Sequence, residues 1–237
     1  MKKIITSICC IALSILFMFS ILIPVHAQQS ADQDVKMREA DKAKAVFTNR
    51  DEINEVSKKL GLKAKKYSKE LLSDKVIGTI NGEEILYKEF ALKKLMCEVL
   101  AKTPKSNSEI FDLVIRDKVR IQIAKELNLY PSNEEFVLFT NTLRDDFRNA
   151  DNPEVVQNFI DSYGITEEQY WNEWSKPFDI MYLVDTKLGK HFSDQIKTSE
   201  VMSDSYYEEL KQIFDNEINN KLSMSIIEIH DNSLGLK

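Results

Sequence analysis

The chain has 237 residues, a formal net charge of −6 and 43% hydrophobic residues. An acidic chain repels phosphate backbones, so nucleic-acid binding is disfavoured, and the length suits one domain or a domain with an extension. Two of the three cysteines, Cys9 and Cys10, lie in the first apolar segment. Cys97 is alone in the rest of the chain, so an internal disulfide is excluded there and the fold must depend on apolar packing.

The first 27 residues predict a secretory signal peptide. Lys2 and Lys3 precede a long apolar run, and Pro24 and Ala27 follow it where a signal peptidase needs a helix break and a small residue. We therefore expect cleavage after Ala27 and an extracytoplasmic protein, held in the cell envelope or secreted. The alternative is a single-pass N-terminal membrane anchor, because the apolar run approaches the roughly 20 residues that span a bilayer.

Residues 28–75 predict a charged spacer that is partly helical or disordered. The segment is rich in Lys, Glu, Asp, Gln and Ala, and it contains no alternating strand pattern. Its basic stretch, residues 58–66, could lie near a membrane or cell-wall polymer, although a solvated helix face explains the same charges more simply.

Residues 76–86 predict a β-hairpin. A β-branched run meets Asn81-Gly82, and a second short apolar run follows. A type I′ turn needs positive φ at both central residues, which Asn-Gly tolerates better than other pairs. A helical pattern begins directly afterwards, at Tyr87.

Helix start signals recur after the hairpin. Three capping boxes place Glu or Gln three residues after a hydroxyl: Ser106 with Glu109, Ser132 with Glu135, and Thr166 with Gln169. Apolar residues follow each box at three- and four-residue spacing, which predicts helices with one buried face. Gly164 is a natural end for the helix before the third box, and Pro177 should kink or split the helix after it.

Residues 222–229 alternate between apolar and polar side chains and predict a strand after the last helix. A lone hairpin is marginal in water, so we expect this strand to pair with the hairpin. The predicted fold class is therefore mainly α with a small antiparallel β-sheet, made of the N-terminal hairpin and the C-terminal strand.

No pattern in the chain predicts an enzyme. The sequence lacks a Gly-x-Ser-x-Gly nucleophile turn, a His-Glu-x-x-His helix, a phosphate-binding glycine loop and Cys-x-x-Cys. The adjacent carboxylates at 145–146 and 167–168 would point about 100° apart on a helix, so they suit a solvated face better than an acid–base pair. Cys97 lies in an apolar helical pattern and predicts a small buried hydrophobe. We expect no catalytic residue, no metal site and no cofactor.

Aromatic residues are concentrated between residues 130 and 178, and most of them should form core. Residues 170 and 171 cannot both share one helix face with residue 174, so part of the cluster should reach a surface. The candidate peptide-binding residues are Tyr163, Tyr170, Trp171, Trp174, Phe178 and Met181.

The phrase VIGTINGEEILYKEF resembles the opening of the core domain in the SurA/PrsA family of extracytoplasmic chaperones and foldases, and AKELNLYPSNEEF and YGITEEQYWNEW resemble the family's helix openings. The resemblance implies a helical chaperone domain over 76–230, similar to the SurA N-terminal and trigger-factor C-terminal domains, and a flexible tail at 231–237. Many relatives carry a parvulin prolyl isomerase domain before the C-terminal return. The corresponding gap here, roughly 192–205, is far below the ~50 residues of a small domain.

Three functional hypotheses follow. The first is an ATP-independent chaperone that binds unfolded or extended segments of exported proteins. The second is an envelope-tethered scaffold that binds one folded partner, and the third is a member of a peptidyl-prolyl isomerase family without its catalytic domain. A chaperone would suppress aggregation of several unrelated proteins, whereas a scaffold would not. The sequence does not indicate an oligomeric state.

Overall fold

The computed structural model describes residues 50–101, 103–150, 152–196 and 204–236. The expected signal peptide and its cleavage site lie outside the described residues. Before the sheet come α1 (Arg50–Lys66) and α2 (Ser68–Leu71), followed by strands β1 (Val76–Ile80) and β2 (Glu83–Leu86). The helices that follow are α3 (Tyr87–Leu100), α4 (Asn107–Glu126), α5 (Asn133–Arg148), α6 (Glu154–Tyr163) and α7 (Glu167–Gln169). A π-helical turn (Tyr170–Trp174) leads to α8 (Lys176–Ser193), α9 (Asp204–Ser223), β3 (Ile227–Ile229) and a 3-10 turn (Asn232–Leu234).

The predicted fold class is confirmed: the described chain is mainly helical and has a three-stranded antiparallel sheet in the order β2-β1-β3. The hairpin turns at Asn81 and Gly82, whose φ angles are 53° and 81°. All three capping boxes form, and Gly164 ends α6 in the left-handed conformation. Local side-chain chemistry therefore determines where α4, α5 and α7 begin.

The C-terminal strand pairs with the hairpin as expected, but it is shorter than the predicted 222–229. Helix α9 continues to Ser223, and β3 begins only at Ile227, opposite Ile80. The hydroxyl of Ser225 donates to the Lys221 carbonyl at 2.8 Å, so it satisfies a terminal helix carbonyl instead of extending the strand.

The described residues form two compact units. We call residues 50–62 and 131–186 the helical unit, and residues 63–130 and 187–236 the sheet unit. The boundary falls within α1 and again within α8.

In the sheet unit, β1 packs on helix α4. A Cβ on Gly78 would lie 3.4 Å from the ring of Phe111 and 2.5 Å from the carbonyl oxygen of Glu228 on β3. Glycine therefore allows β1 to approach both the helix and the neighbouring strand. Asn81 fastens the hairpin turn: its amide nitrogen donates to Gln122 at 2.8 Å and its carbonyl oxygen accepts from the Ile226 backbone at 3.0 Å.

The helical unit begins with residues that the sequence assigned to a spacer. In α1, the hydroxyl of Ser57 donates to the Val155 carbonyl at 2.5 Å, and Leu60 is fully buried. A Cβ on Gly61 would lie 2.7 Å from the Phe159 carbonyl, so α1 and α6 are in backbone contact. Residues 50–62 are thus a packed helix, because their sparse apolar stripe is matched by α6.

Contacts also hold the start of the segment that we expected to be a flexible tail. The Asp231 carboxylate accepts from Lys75 at 2.6 Å, and Asn107 donates to the Leu234 carbonyl at 3.0 Å. Among the helices that the structure describes, none has both the length and the apolar character of a membrane span.

Candidate peptide-binding surface

The π-helical turn places three of the predicted site residues in the core of the helical unit. Tyr170, Trp171 and Trp174 expose only 5%, 3% and 8% of their surface. The ring centroid of Trp174 lies 4.6 Å from that of Phe159 on α6, and Trp171 lies 5.6 Å from Phe147 on α5. These three side chains are therefore covered by aromatic neighbours in this structure, and their expected role in peptide binding stays a prediction.

All three can be buried because the turn has partners on more than one side. The Ser175 amide donates to the Tyr170 carbonyl at 2.8 Å, an i to i+5 bond that widens the helix locally. Tyr170 meets Phe159 of α6 at 5.5 Å, whereas Trp171 meets Phe147 of α5. From the sequence we assumed that a single neighbouring element would cover this segment, whereas both α5 and α6 pack against the turn.

The core around this turn contains an unusual set of polar groups. The indole nitrogens of Trp171 and Trp174 are buried and have no hydrogen-bond partner among the described residues. Asp179 is 4% exposed, and burial raises its pKa to about 7, although a hydrogen bond from Ser175 opposes that shift. Burial also raises the pKa of Tyr170 well above its usual range. The sequence analysis did not predict a buried acid here, although the apolar residues on either side of Asp179 are a signal that could have found it.

The other three predicted residues, Tyr163, Phe178 and Met181, are partly exposed. Phe178 precedes Tyr182 by one helical turn on α8, and the Tyr182 ring stacks on Phe139 of α5 with 5.2 Å between centroids. Near the start of α8, the ammonium group of Lys176 lies 5.5 Å from the centre of the Phe136 ring.

Helices α5 and α8 thus carry several apolar side chains that are exposed or partly exposed to solvent, and the Phe139–Tyr182 stack joins the two helices. Val137 and Leu138 on α5 are 46% and 69% exposed. We call this region the α5–α8 surface, and its residues are Phe136, Val137, Leu138, Phe139, Phe178, Met181 and Tyr182. The sequence predicted Phe178 and Met181 as site residues, and it placed Phe136 and Phe139 on a buried helix face because of their spacing. It made no prediction for Val137 and Leu138.

Ion pairs lie at the far end of α5. The Arg144 guanidinium donates to Glu167 and to Glu168, each at 2.9 Å. These bonds lower the pKa of both carboxylates, so both are ionised near neutral pH. Both carboxylates are exposed, as expected for solvated charge, and they also bind one arginine, which links α7 to α5.

A second candidate site lies in the sheet unit, where an open groove of about 440 Å³ runs beside the hairpin turn. Its polar lining is internally bonded: Lys125 pairs with Glu83 at 2.6 Å, and Lys221 pairs with Glu126 at 2.5 Å. Apolar side chains lie next to it, since Met224 is 74% exposed and Ile226 is 70% exposed. The bonded polar groups support a role in holding the hairpin.

Within the described ranges, no group of three or more His, Cys, Asp or Glu side chains could hold a metal ion. Cys97 is buried, and burial raises the pKa of its thiol, which suits a packing role. Comparisons of the chain with protein-family models, with curated proteins and with solved structures found no match.

Proposed function

We propose that this protein is an ATP-independent, extracytoplasmic chaperone that binds unfolded or extended segments of exported proteins on the α5–α8 surface. The observation that carries the proposal is the exposure of Val137 and Leu138 beside the Phe139–Tyr182 stack. The resemblance of residues 76–191 to the SurA/PrsA core supports the same class of function.

The chemistry of the surface suits chains that expose apolar side chains without a fixed sequence. Aromatic rings and aliphatic side chains offer non-directional burial, at about 25 cal/mol per Å² of apolar area, so they need no particular hydrogen-bond pattern in the client. Met181 adds a flexible, polarisable side chain that adapts to different partners. Lys176 at the edge keeps a charge beside the apolar area.

The test is a matched pair of surface substitutions. Leu138→Asp places a charge on the α5–α8 surface, whereas Leu72→Asp places one at a similarly exposed leucine (74%) in the sheet unit. We expect Leu138→Asp to weaken suppression of aggregation for at least two unrelated unfolded proteins. Leu72→Asp should retain activity, and both variants should melt close to the parent, because both leucines are largely exposed.

Equal activity of the two variants, with unchanged melting, would remove the α5–α8 surface from the proposal. A parent protein that suppresses aggregation of no unfolded protein would contradict the chaperone function itself.

A second candidate function is a scaffold for one folded envelope partner. It is favoured by β3, which forms one edge of the sheet and carries Ile227 with 40% exposure next to Ile226. An edge strand with apolar side chains can add a strand from a partner. The same aggregation assay separates the two functions, since a scaffold would not protect unrelated unfolded proteins.

A further inference from the structure

A buried acid and a hydroxyl meet where the π-helical turn joins α8. The Ser175 oxygen lies 2.8 Å from a carboxyl oxygen of Asp179 and 3.0 Å from the carbonyl oxygen of Trp171. Ser175 and Asp179 expose 6% and 4% of their surface. Both contacts are within hydrogen-bond distance, and both are shielded from water.

These two contacts need two protons. A serine hydroxyl has a single hydrogen, while a carbonyl oxygen and a carboxylate can only accept. If Asp179 were ionised, the Ser175 hydrogen could serve Trp171 or Asp179, but not both. If Asp179 is a neutral acid, its O–H donates to the Ser175 oxygen and the Ser175 hydroxyl donates to the Trp171 carbonyl, so both contacts are hydrogen bonds at once.

We propose that Asp179 is a proton-dependent latch of the helical unit: as a neutral acid it closes the π-helical turn through Ser175, and loss of its proton opens the turn and exposes Trp171 and Trp174. This inference does not depend on the proposed chaperone function, because it rests on the internal geometry of the turn.

The surroundings give the ionised acid no compensating charge. The titratable group that faces Asp179 from the turn is the phenol of Tyr170, which is itself buried and neutral. On α5 and α7, Arg144 is bound to Glu167 and Glu168. From α6, Tyr163 faces Glu173 of the turn instead.

Two further cations of these elements also act elsewhere: Lys176 of α8 lies over the Phe136 ring, and Arg148 of α5 pairs with Glu167 at 3.2 Å. No charged side chain in the described ranges offsets the burial that raises the pKa of Asp179 to about 7. Ionisation therefore places an unpaired charge in an aromatic core, which is the costliest environment for it.

The sign of the pH effect follows from linkage. A free aspartic acid has a pKa of about 3.9, so the folded protein holds this proton more tightly than the unfolded chain. The stabilisation is complete below about pH 4 and is lost as the pH rises to about 7. Over that interval, the contribution of Asp179 to the folding equilibrium constant falls by up to about tenfold for each pH unit.

The two tryptophans of the chain both lie in this turn, so intrinsic fluorescence reports on it directly. In the full chain without denaturant, we expect the emission maximum to move to longer wavelength as the pH rises through about 7. Asp179→Asn, whose amide also donates to Ser175, should keep the short-wavelength emission across the range. Glu173→Gln, which changes an exposed carboxylate in the same turn, should behave like the parent.

Ser175→Ala provides an independent check. In the closed latch the Ser175 oxygen accepts from neutral Asp179, so Ser175→Ala removes a contact of the neutral acid and should shift the fluorescence transition to lower pH. Emission of the parent that stays constant from pH 5 to pH 9 would overturn the latch. An Asp179→Asn variant that retains the transition, or that is unfolded at every pH, would overturn it as well.

Discussion

Each unit contains a buried aspartate whose pKa is strongly shifted, Asp231 in the sheet unit and Asp179 in the helical unit, and the two shifts have opposite signs. Asp231 in the sheet unit accepts from Lys75 at 2.6 Å and from the Ser233 backbone at 3.0 Å, and these bonds lower its pKa to about 2. Asp179 in the helical unit has one hydroxyl partner, and burial raises its pKa to about 7. The pKa of a carboxyl group falls where a cation and hydrogen-bond donors surround it, and it rises where the group is buried without a cation.

The same contrast extends to the rest of each unit. The sheet unit secures its hairpin with a bonded polar network around Asn81 and Gln122. The helical unit relies on ring packing around Phe159 and leaves two indole N–H groups without a described partner. We therefore expect substitutions to act through lost volume in the helical unit and through lost geometry or hydrogen bonds in the sheet unit.

The largest effect should come from Trp171→Ala. Trp171 is 3% exposed and packs on Phe147, so its truncation leaves a cavity in the helical unit and should cost about 3–5 kcal/mol in the free energy of unfolding. Denaturant unfolding followed by circular dichroism measures the loss. Tyr130→Ala, at a 40% exposed ring, is the control and should cost much less.

An unchanged stability of Trp171→Ala would show that the ring is not part of the core, and it would restore Trp171 as an exposed anchor for peptide binding. The expectation that substitutions in the helical unit act through lost volume would then be wrong.

Gly78→Ala tests whether substitutions in the sheet unit act through lost geometry, and it should have an intermediate effect on stability. The added methyl group would meet the Glu228 carbonyl oxygen at 2.5 Å, and this atom is backbone that the β1–β3 pairing holds in place. Overpacking of this kind costs about 1–3 kcal/mol. Thermal unfolding should therefore show a destabilised protein, although no side-chain contact has been removed.

Gly82→Ala is a useful comparison for that substitution. Gly82 has no heavy atom within 4 Å of the position of an added Cβ. The destabilisation by Gly82→Ala therefore comes from the positive φ of 81° alone. If Gly78→Ala and Gly82→Ala destabilise the protein equally, the close approach of β1 to β3 contributes little.

The sequence predicted the features that depend on local chemistry. The Asn81-Gly82 turn, the Ser106 box and the Gly164 helix end are each settled by residues within a few positions of one another. The pairing of β3 with the hairpin was also predicted, because a two-stranded sheet is marginal without a third strand.

The site was harder to predict because it depends on which elements meet. Burial of Trp171 requires Phe147, more than twenty residues away, and the raised pKa of Asp179 comes from its burial where the π-helical turn meets α8. Apolar periodicity on α5 predicted a buried face that includes Phe136, Phe139 and Phe147; Phe147 is buried, but Phe136 and Phe139 are partly exposed. Periodicity identifies a face and does not show whether another element covers it.

The smallest effect should come from Asp231→Asn, and its pH dependence should have the opposite sign to that of Asp179. The folded-state pKa of Asp231, about 2, lies below the roughly 3.9 of a free aspartic acid, so its stabilisation is present above about pH 4 and is lost as the pH falls towards 2. The melting temperature of Asp231→Asn should therefore lie below that of the parent at pH 6, and the two should converge on acidification. Asp74→Asn, which removes an exposed carboxylate beside Lys88, should show no such convergence because its pair lies in water. A constant difference in melting temperature between Asp231→Asn and the parent from pH 6 to pH 2 would mean that the hydrogen bonds of Asp231, and not its charge, hold the end of the sheet unit. Of the two buried acids, only Asp179 would then make stability depend on pH.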